Sequence, residues 1–184
     1  MTGLCPPAAA VLILAFTSGP AWCQERPLPG YTVLASPIRI LYSSYYVAAE
    51  KSLGAKAGVA ALAETGKGRY TSYASGNGEY PYYFLGAQAL GYPVGDFGHG
   101  MQAGAQLTWY KESLPEGAPL IGSASTWMAG ILVGYKWVAG FGLTLEAQAG
   151  LTRIIADGDR GEPEANLIRT NYGTFLDLLA GWSF

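Results

Sequence analysis

Between residues 101 and 110, hydrophobic and polar positions alternate without a break. Met101, Ala103, Ala105, Leu107 and Trp109 interleave with Gln102, Gly104, Gln106, Thr108 and Tyr110. A period of two puts successive side chains on opposite faces of an extended strand. The plan recurs at Leu143, Leu145, Ala147, Ala149 and Leu151, which interleave with Thr144, Glu146, Gln148, Gly150 and Thr152. It recurs at Leu176, Leu178, Ala180, Trp182 and Phe184, set against Asp177, Leu179, Gly181 and Ser183. Tyr83–Leu90 and Trp127–Trp137 follow it with more Gly. In each segment one face is apolar and the other polar or small, and aromatics often bound the apolar face (Tyr83, Trp109, Trp127, Trp137, Phe184).

The pattern predicts strands near 56–65, 80–92, 99–112, 121–137, 142–155 and 170–184. A further strand ends at Lys51, and Tyr31–Tyr42 supplies one before it, with Ser43-Ser44 as a tight turn. Residues 48–63 are Ala-rich, but Gly54 and Gly58 argue against a helix there. Short connections at Ser52–Lys56, Pro93–Gly98 and Ala139–Gly142 alternate with longer polar ones at Gly66–Glu79, Ser113–Pro119 and Ala156–Leu167. Short turns at one end and long loops at the other are the layout of an outer-membrane barrel. The expected fold is therefore all-β: an antiparallel up-and-down transmembrane β-barrel of eight strands, a size that closes around side chains and leaves no open pore.

Composition decides between this barrel and a soluble sandwich, which also alternates. Only 13% of the 184 residues are charged while 50% are hydrophobic, and a soluble domain carries roughly 25% charge. Too few charges are present to cover a wetted exterior. The chain is too apolar to be disordered, and a net charge of −2 lacks the basic excess of a nucleic-acid binder. One His and two Cys leave little material for a His- or Cys-ligated metal site, and no cofactor is expected.

Residues 1–23 read as a signal peptide, leaving 24–184 as the barrel domain. Ala8–Phe16 is an uninterrupted apolar run, followed by Thr17-Ser18-Gly19-Pro20, and Ala21 and Cys23 stand at −3 and −1 of a cut before Gln24. The run falls short of the roughly 20 residues of a membrane span. Trp22 is too bulky for the position before a lipidated Cys23. Removal of the leader takes both cysteines with it.

The polar faces direct Arg39, Glu50, Glu64, Lys136, Glu146 and Asp177 inward, with Gln88, Gln102, Gln106 and Gln148. Charges in a narrow lumen are costly unless paired. The expectation is a salt-bridge and amide network that fills the barrel, in which Arg39 or Lys136 pairs with Glu146, Glu50 or Asp177. A gated polar path is the competing reading.

His99, near Asp96 in GDFGHG, is the one candidate for acid–base work. A lipid A deacylase among small barrels carries a His-x-Ser arrangement; here Gly100 and Met101 follow, so the Ser is missing. The topology puts His99 on a periplasmic turn. Asp157, Asp159, Glu162 and Glu164 supply oxygens suited to Ca²⁺, but without the D-x-[DN]-x-[DN]-G run of a Ca²⁺ loop. Tyr70 and Tyr73, beside Lys67 and Arg69, suit contact with lipid headgroups at an interface.

Ser36–Leu53, with Pro37-Ile38-Arg39-Ile40-Leu41, Ser43-Ser44 and Glu50-Lys51, resembles the opening of a family of small bacterial outer-membrane β-barrels known only as a domain of unknown function. Gly130–Leu151 is similar to that family's penultimate hairpin, Gly134-Tyr135-Lys136 matching a Gly-Tyr-Lys element. Tyr45-Tyr46 and Ala49 depart from its pattern. Leu178, Ala180, Trp182 and the terminal Phe184 resemble the C-terminal assembly signal of outer-membrane proteins generally.

The resemblance implies an outer-membrane location and no known activity. The expected partners are outer-membrane lipid and lipopolysaccharide, the outer-membrane assembly machinery and periplasmic chaperones, with no nucleic acid. The expected role is structural, adhesive or envelope-maintaining and non-enzymatic. One alternative is lateral transport or binding of a small apolar molecule, which needs an apolar pocket; Phe84, Leu132 and Phe175 are candidates to line it. A second is a lipid A- or phospholipid-modifying enzyme, which needs a nucleophile–base pair near the outer leaflet.

Overall fold

The computed structural model describes residues 28–72, 76–113, 123–157 and 172–184. The elements are β1 (Tyr31–Ala35), a short helix α1 (Pro37–Leu41), β2 (Ser44–Ser52), β3 (Ala57–Ser72), β4 (Gly76–Asp96), β5 (His99–Ser113), β6 (Ser123–Val138), β7 (Leu143–Asp157) and β8 (Tyr172–Ser183). The eight strands form one closed antiparallel barrel in chain order, with β8 returning to β1. The leader (1–23), the loop at Ser113–Pro119 beyond Ser113, and Asp159, Glu162 and Glu164 lie outside the described residues.

One end of the barrel carries the start of β1, the end of β8 and the turns β2–β3, β4–β5 and β6–β7. Here Gly30 N and Tyr31 N donate to Phe184 O at 2.7 and 3.1 Å, and Phe184 N donates to Tyr31 O at 2.9 Å. We call this the terminal end. The opposite end, which carries α1, is the helix end.

Three expectations are corrected. Tyr31–Tyr42 is not one strand. Pro37 has no N–H for a ladder and its fixed φ suits a first helical turn. Ser36 caps that turn by accepting from Arg39 N at 3.3 Å, so β1 stops at Ala35 and α1 begins. Ser43, at φ 62°, then turns the chain into β2, which starts at Ser44. Second, Gly66–Glu79 is mostly ladder: β3 and β4 stay paired from Gly66↔Tyr82 to Ser72↔Gly76. Glycine weakens a strand, but Gly66 and Gly68 each face a tyrosine directly across, Tyr82 and Tyr80. The Tyr82 ring lies 2.8 Å from where a Gly66 β-carbon would be, so the aromatic covers the missing side chain. Third, the turn at Pro93–Gly98 shrinks to Phe97-Gly98, because β4 continues to Asp96 through a bulge between Gly91 and Val94.

Burial follows the period of two. Leu85, Met101, Leu107, Ile131, Val133, Leu145, Leu151, Leu176 and Leu178 are exposed on the outer face. Gln88, Gln102, Gln106, Thr108, Lys136, Glu146, Gln148 and Asp177 are buried on the inner one. The exterior is thus largely apolar, while the interior combines these polar groups with two apolar clusters, one around Leu34, Tyr46 and Leu62 and one around Leu90, Tyr92, Phe97 and Leu132.

Closure depends on a short seam. β1 meets β8 only from Thr32↔Ser183 to Ala35↔Ala180. Gly181 sits in it, and a β-carbon there would overlap the Val33 carbonyl oxygen and come within 2.8 Å of Leu34 Cα. Both obstacles are backbone, which cannot rotate aside. Gly181→Ala is expected to cost about 1–3 kcal/mol, the range for forced overpacking, read as a lower urea midpoint. Gly91→Ala, whose nearest neighbour would stand at 3.7 Å, is the control and should be near neutral.

Candidate functional site

The interior is built in tiers. At the helix end, α1 turns Arg39 inward. Its Nε donates to Asp177 Oδ2 at 2.8 Å, its Nη1 pairs with Glu64 Oε2, and its guanidinium lies 4.4 Å from the Tyr46 ring centroid. Ser36 Oγ donates to Asp177 Oδ1 at 2.5 Å, and Tyr82 Oη donates to Glu64 Oε1 at 2.7 Å. Both carboxylates are therefore held on both oxygens, the pattern that lets charge persist away from water.

The middle tier is amide. Gln88 Nε2 donates to Gln106 Oε1 at 3.1 Å and to Gln148 Oε1 at 3.3 Å. Gln148 Nε2 in turn donates to Glu146 Oε1. Beside these amides lies a cavity of about 130 Å³, whose apolar wall includes Leu62, Phe84, Met128 and Phe175.

Toward the terminal end, Lys136 is fully buried. Its Nζ donates to Glu50 Oε2 and, at 3.0 Å, to Thr32 Oγ1, and it stands 3.8 Å from the Phe97 ring centroid. Thr32 Oγ1 and Thr144 Oγ1 each bond Ser183 Oγ, at 2.7 and 2.6 Å. Glu146 is Lys136's ladder neighbour on β7, yet Lys136 reaches across to Glu50 instead. Glu146 Oε2, both amide atoms of Gln102 and the Tyr92 hydroxyl are buried with no hydrogen-bond partner among the described residues. Phe97 closes this end from below. It comes from the β4–β5 turn, is fully buried, and meets Tyr92 edge-on at 5.7 Å. Gly58 makes room for it, since a β-carbon there would stand 2.9 Å from the Phe97 ring.

No protein-family model, curated protein or solved structure matches the chain. The geometry alone therefore carries the functional argument.

Arg39, Glu64 and Asp177 form one cluster, Lys136 and Glu50 another, and Glu146 joins the amide tier through Gln148. Arg39 reaches the lumen from a helix, not from the expected strand. Phe84 and Phe175 line the cavity; Leu132 does not, but packs with Leu90, Tyr92 and Phe97 in a cluster against which Phe175 also rests. Leu178, Trp182 and Phe184 are exposed on the outside of β8 and its end. His99 lies at the terminal end, where its Nε2 meets the Tyr135 hydroxyl at 2.7 Å. Asp96 Oδ1 accepts from the backbone N–H groups of Gly98 and His99, at 2.8 and 3.0 Å. Among the described residues no three His, Cys, Asp or Glu side chains gather as a metal site.

Sequence reasoning missed Ser36, Thr32, Tyr92 and Phe97. Ser36 was detectable, because Ser-Pro before an aliphatic run is a helix start. Phe97 was not: one aromatic among turn residues has no periodicity.

Proposed function

We propose that the chain is an integral outer-membrane β-barrel of a Gram-negative-type envelope, non-enzymatic, with a lumen blocked by its own side chains. The observation that carries this reading is the inverted surface: a belt of exposed Leu, Ile, Val and aromatics around a buried network of charges and amides. Water would penalise such an exterior, and a bilayer would not. On this reading the strands make the crossing, since closure of the barrel satisfies their backbone groups. The terminal end is then periplasmic and the helix end faces out.

The mechanism is anchoring and presentation. The apolar belt meets lipid, and the helix-end loops meet lipopolysaccharide or the exterior. Leu178, Ala180, Trp182 and Phe184 offer the assembly machinery an apolar edge along β8 after delivery by periplasmic chaperones. Lipid-modifying chemistry has little support, because His99 lies at the end away from the outer leaflet.

The test is expression of the full chain in a Gram-negative host. The expected result is a protein that resists carbonate extraction from outer membranes and migrates faster unboiled than boiled. In planar bilayers it should give no steady large conductance. Recovery in the soluble fraction overturns the membrane reading, and steady channels overturn the blocked lumen.

A further inference from the structure

The barrel wall has a notch. β1 ends at Ala35, opposite Val47 of β2 and Ala180 of β8. Beyond that level Tyr46 O still accepts from Ser36 N, Ser44 and Tyr45 of β2 pair only with β3, and Tyr172–Leu179 of β8 pair only with β7. A gap in the ladder therefore separates the start of β2 from β8 at the helix end. Helix α1 stands in it.

What holds α1 there differs from what holds every strand. Past the Ser36 N to Tyr46 O bond, its links to the wall are mainly side-chain ones: Arg39 to Asp177 and Glu64, Ser36 Oγ to Asp177, and Ser44 Oγ to the Arg39 carbonyl at 3.2 Å. A few rotamers release such a panel, whereas moving a strand breaks a ladder. The outer face of the panel continues the apolar belt: Ile40, Leu41 and Tyr42 are exposed, with Tyr45 and Leu176 beside them.

Directly behind the panel lies the 130 Å³ cavity, partly open rather than sealed, to which α1 contributes Arg39, β2 contributes Tyr46, and β8 contributes Phe175 and Asp177. We propose that the notch is a lateral portal, closed by α1, and that the cavity binds a small uncharged ring compound entering from the surrounding apolar phase. The volume limits the occupant to a single benzene-sized ring, since a cavity of ~150 Å³ holds benzene. The lining sets the chemistry. Leu62, Phe84, Met128 and Phe175 receive an apolar ring, and the amides of Gln88 and Gln106 offer hydrogen bonds to one polar edge. Arg39 is outnumbered by Glu64 and Asp177, so an anion is disfavoured.

The inference rests on the membrane reading above, but its test is separate, because gel mobility and fractionation report the barrel whatever it binds. Purified wild-type protein in detergent is titrated with 3-fluoropyridine, a benzene-sized ring with one polar edge, and, in parallel, with the smaller anion fluoroacetate, following ¹⁹F linewidths against protein-free micelles. Expected is saturable broadening of the fluoropyridine alone. It should be abolished by Met128→Trp and by the second filling variant Leu62→Phe, whichever retains the unboiled fast band. Arg39→Gln should speed exchange about tenfold, the factor equivalent to ~1.4 kcal/mol of lost latch. Leu41→Arg, on the outer face of α1, should slow it. Absence of saturable broadening, or its persistence in the filled variants, overturns the site. Equal binding of the fluoroacetate overturns the ligand class, and exchange unchanged in both α1 variants overturns the portal.

Discussion

Lys136→Met lowers the urea midpoint of the detergent-folded barrel more than any other single charge removal. The substitution takes the only ammonium from a site that also buries Glu50 and Glu146. Removing one partner of a buried pair costs about 3–5 kcal/mol, because the remaining charge has neither water nor a counter-ion. The loss therefore belongs mostly to the stranded Glu50 carboxylate. Adding Glu50→Gln should restore most of it, since an uncharged amide needs only hydrogen bonds and Thr32 Oγ1 is within the same cluster. The measurement is the urea dependence of the fast-migrating unboiled band for wild type, Lys136→Met and the double variant. If the double variant is no better than the single, Lys136 matters for its packed stem and for its ammonium's contact with the Phe97 ring rather than for its pairing with Glu50.

Phe97→Ala is the second large effect. The ring fills the terminal end beneath Lys136 and touches Tyr92. Truncating a buried Phe costs about 3–5 kcal/mol, from lost transfer energy and from a cavity that a closed ladder cannot collapse. The same change removes the floor of the lumen. A lower urea midpoint should therefore come with small, flickering bilayer conductance that wild type lacks. Phe97→Leu should recover most of the stability and the seal. A fall in stability with no new conductance would place the ion barrier higher, at the amide tier or the Arg39 cluster.

Strand identity and facing were legible because a half-buried strand has only one periodicity, and a register slip of one residue would turn every side chain inside out. That is why Gln102, Lys136, Glu146 and Asp177 could be assigned to the interior from alternation alone. The same rule misled at Tyr31–Tyr42, where Ser36-Pro37 breaks the strand in a chemistry that hydropathy does not register. It also misled at Gly66–Glu79, where Gly and polar residues look like loop until Tyr80 and Tyr82 are seen across from Gly68 and Gly66.

Partnership inside the barrel was a different matter. Lys136 faces two carboxylates that alternation cannot tell apart, and it takes Glu50, 86 positions away in sequence, over its ladder neighbour Glu146. Only the curvature of the closed sheet decides which side chain lies opposite which across the lumen. By itself the sequence determined that this protein is a strand-built shell with an apolar outside and a polar inside, because that information is local and repeats every two residues. The tertiary structure decided the ion pairs, the Phe97 floor and the notch behind α1. Each of these depends on how far one strand is sheared against the next, and shear accumulates around the whole barrel before it closes.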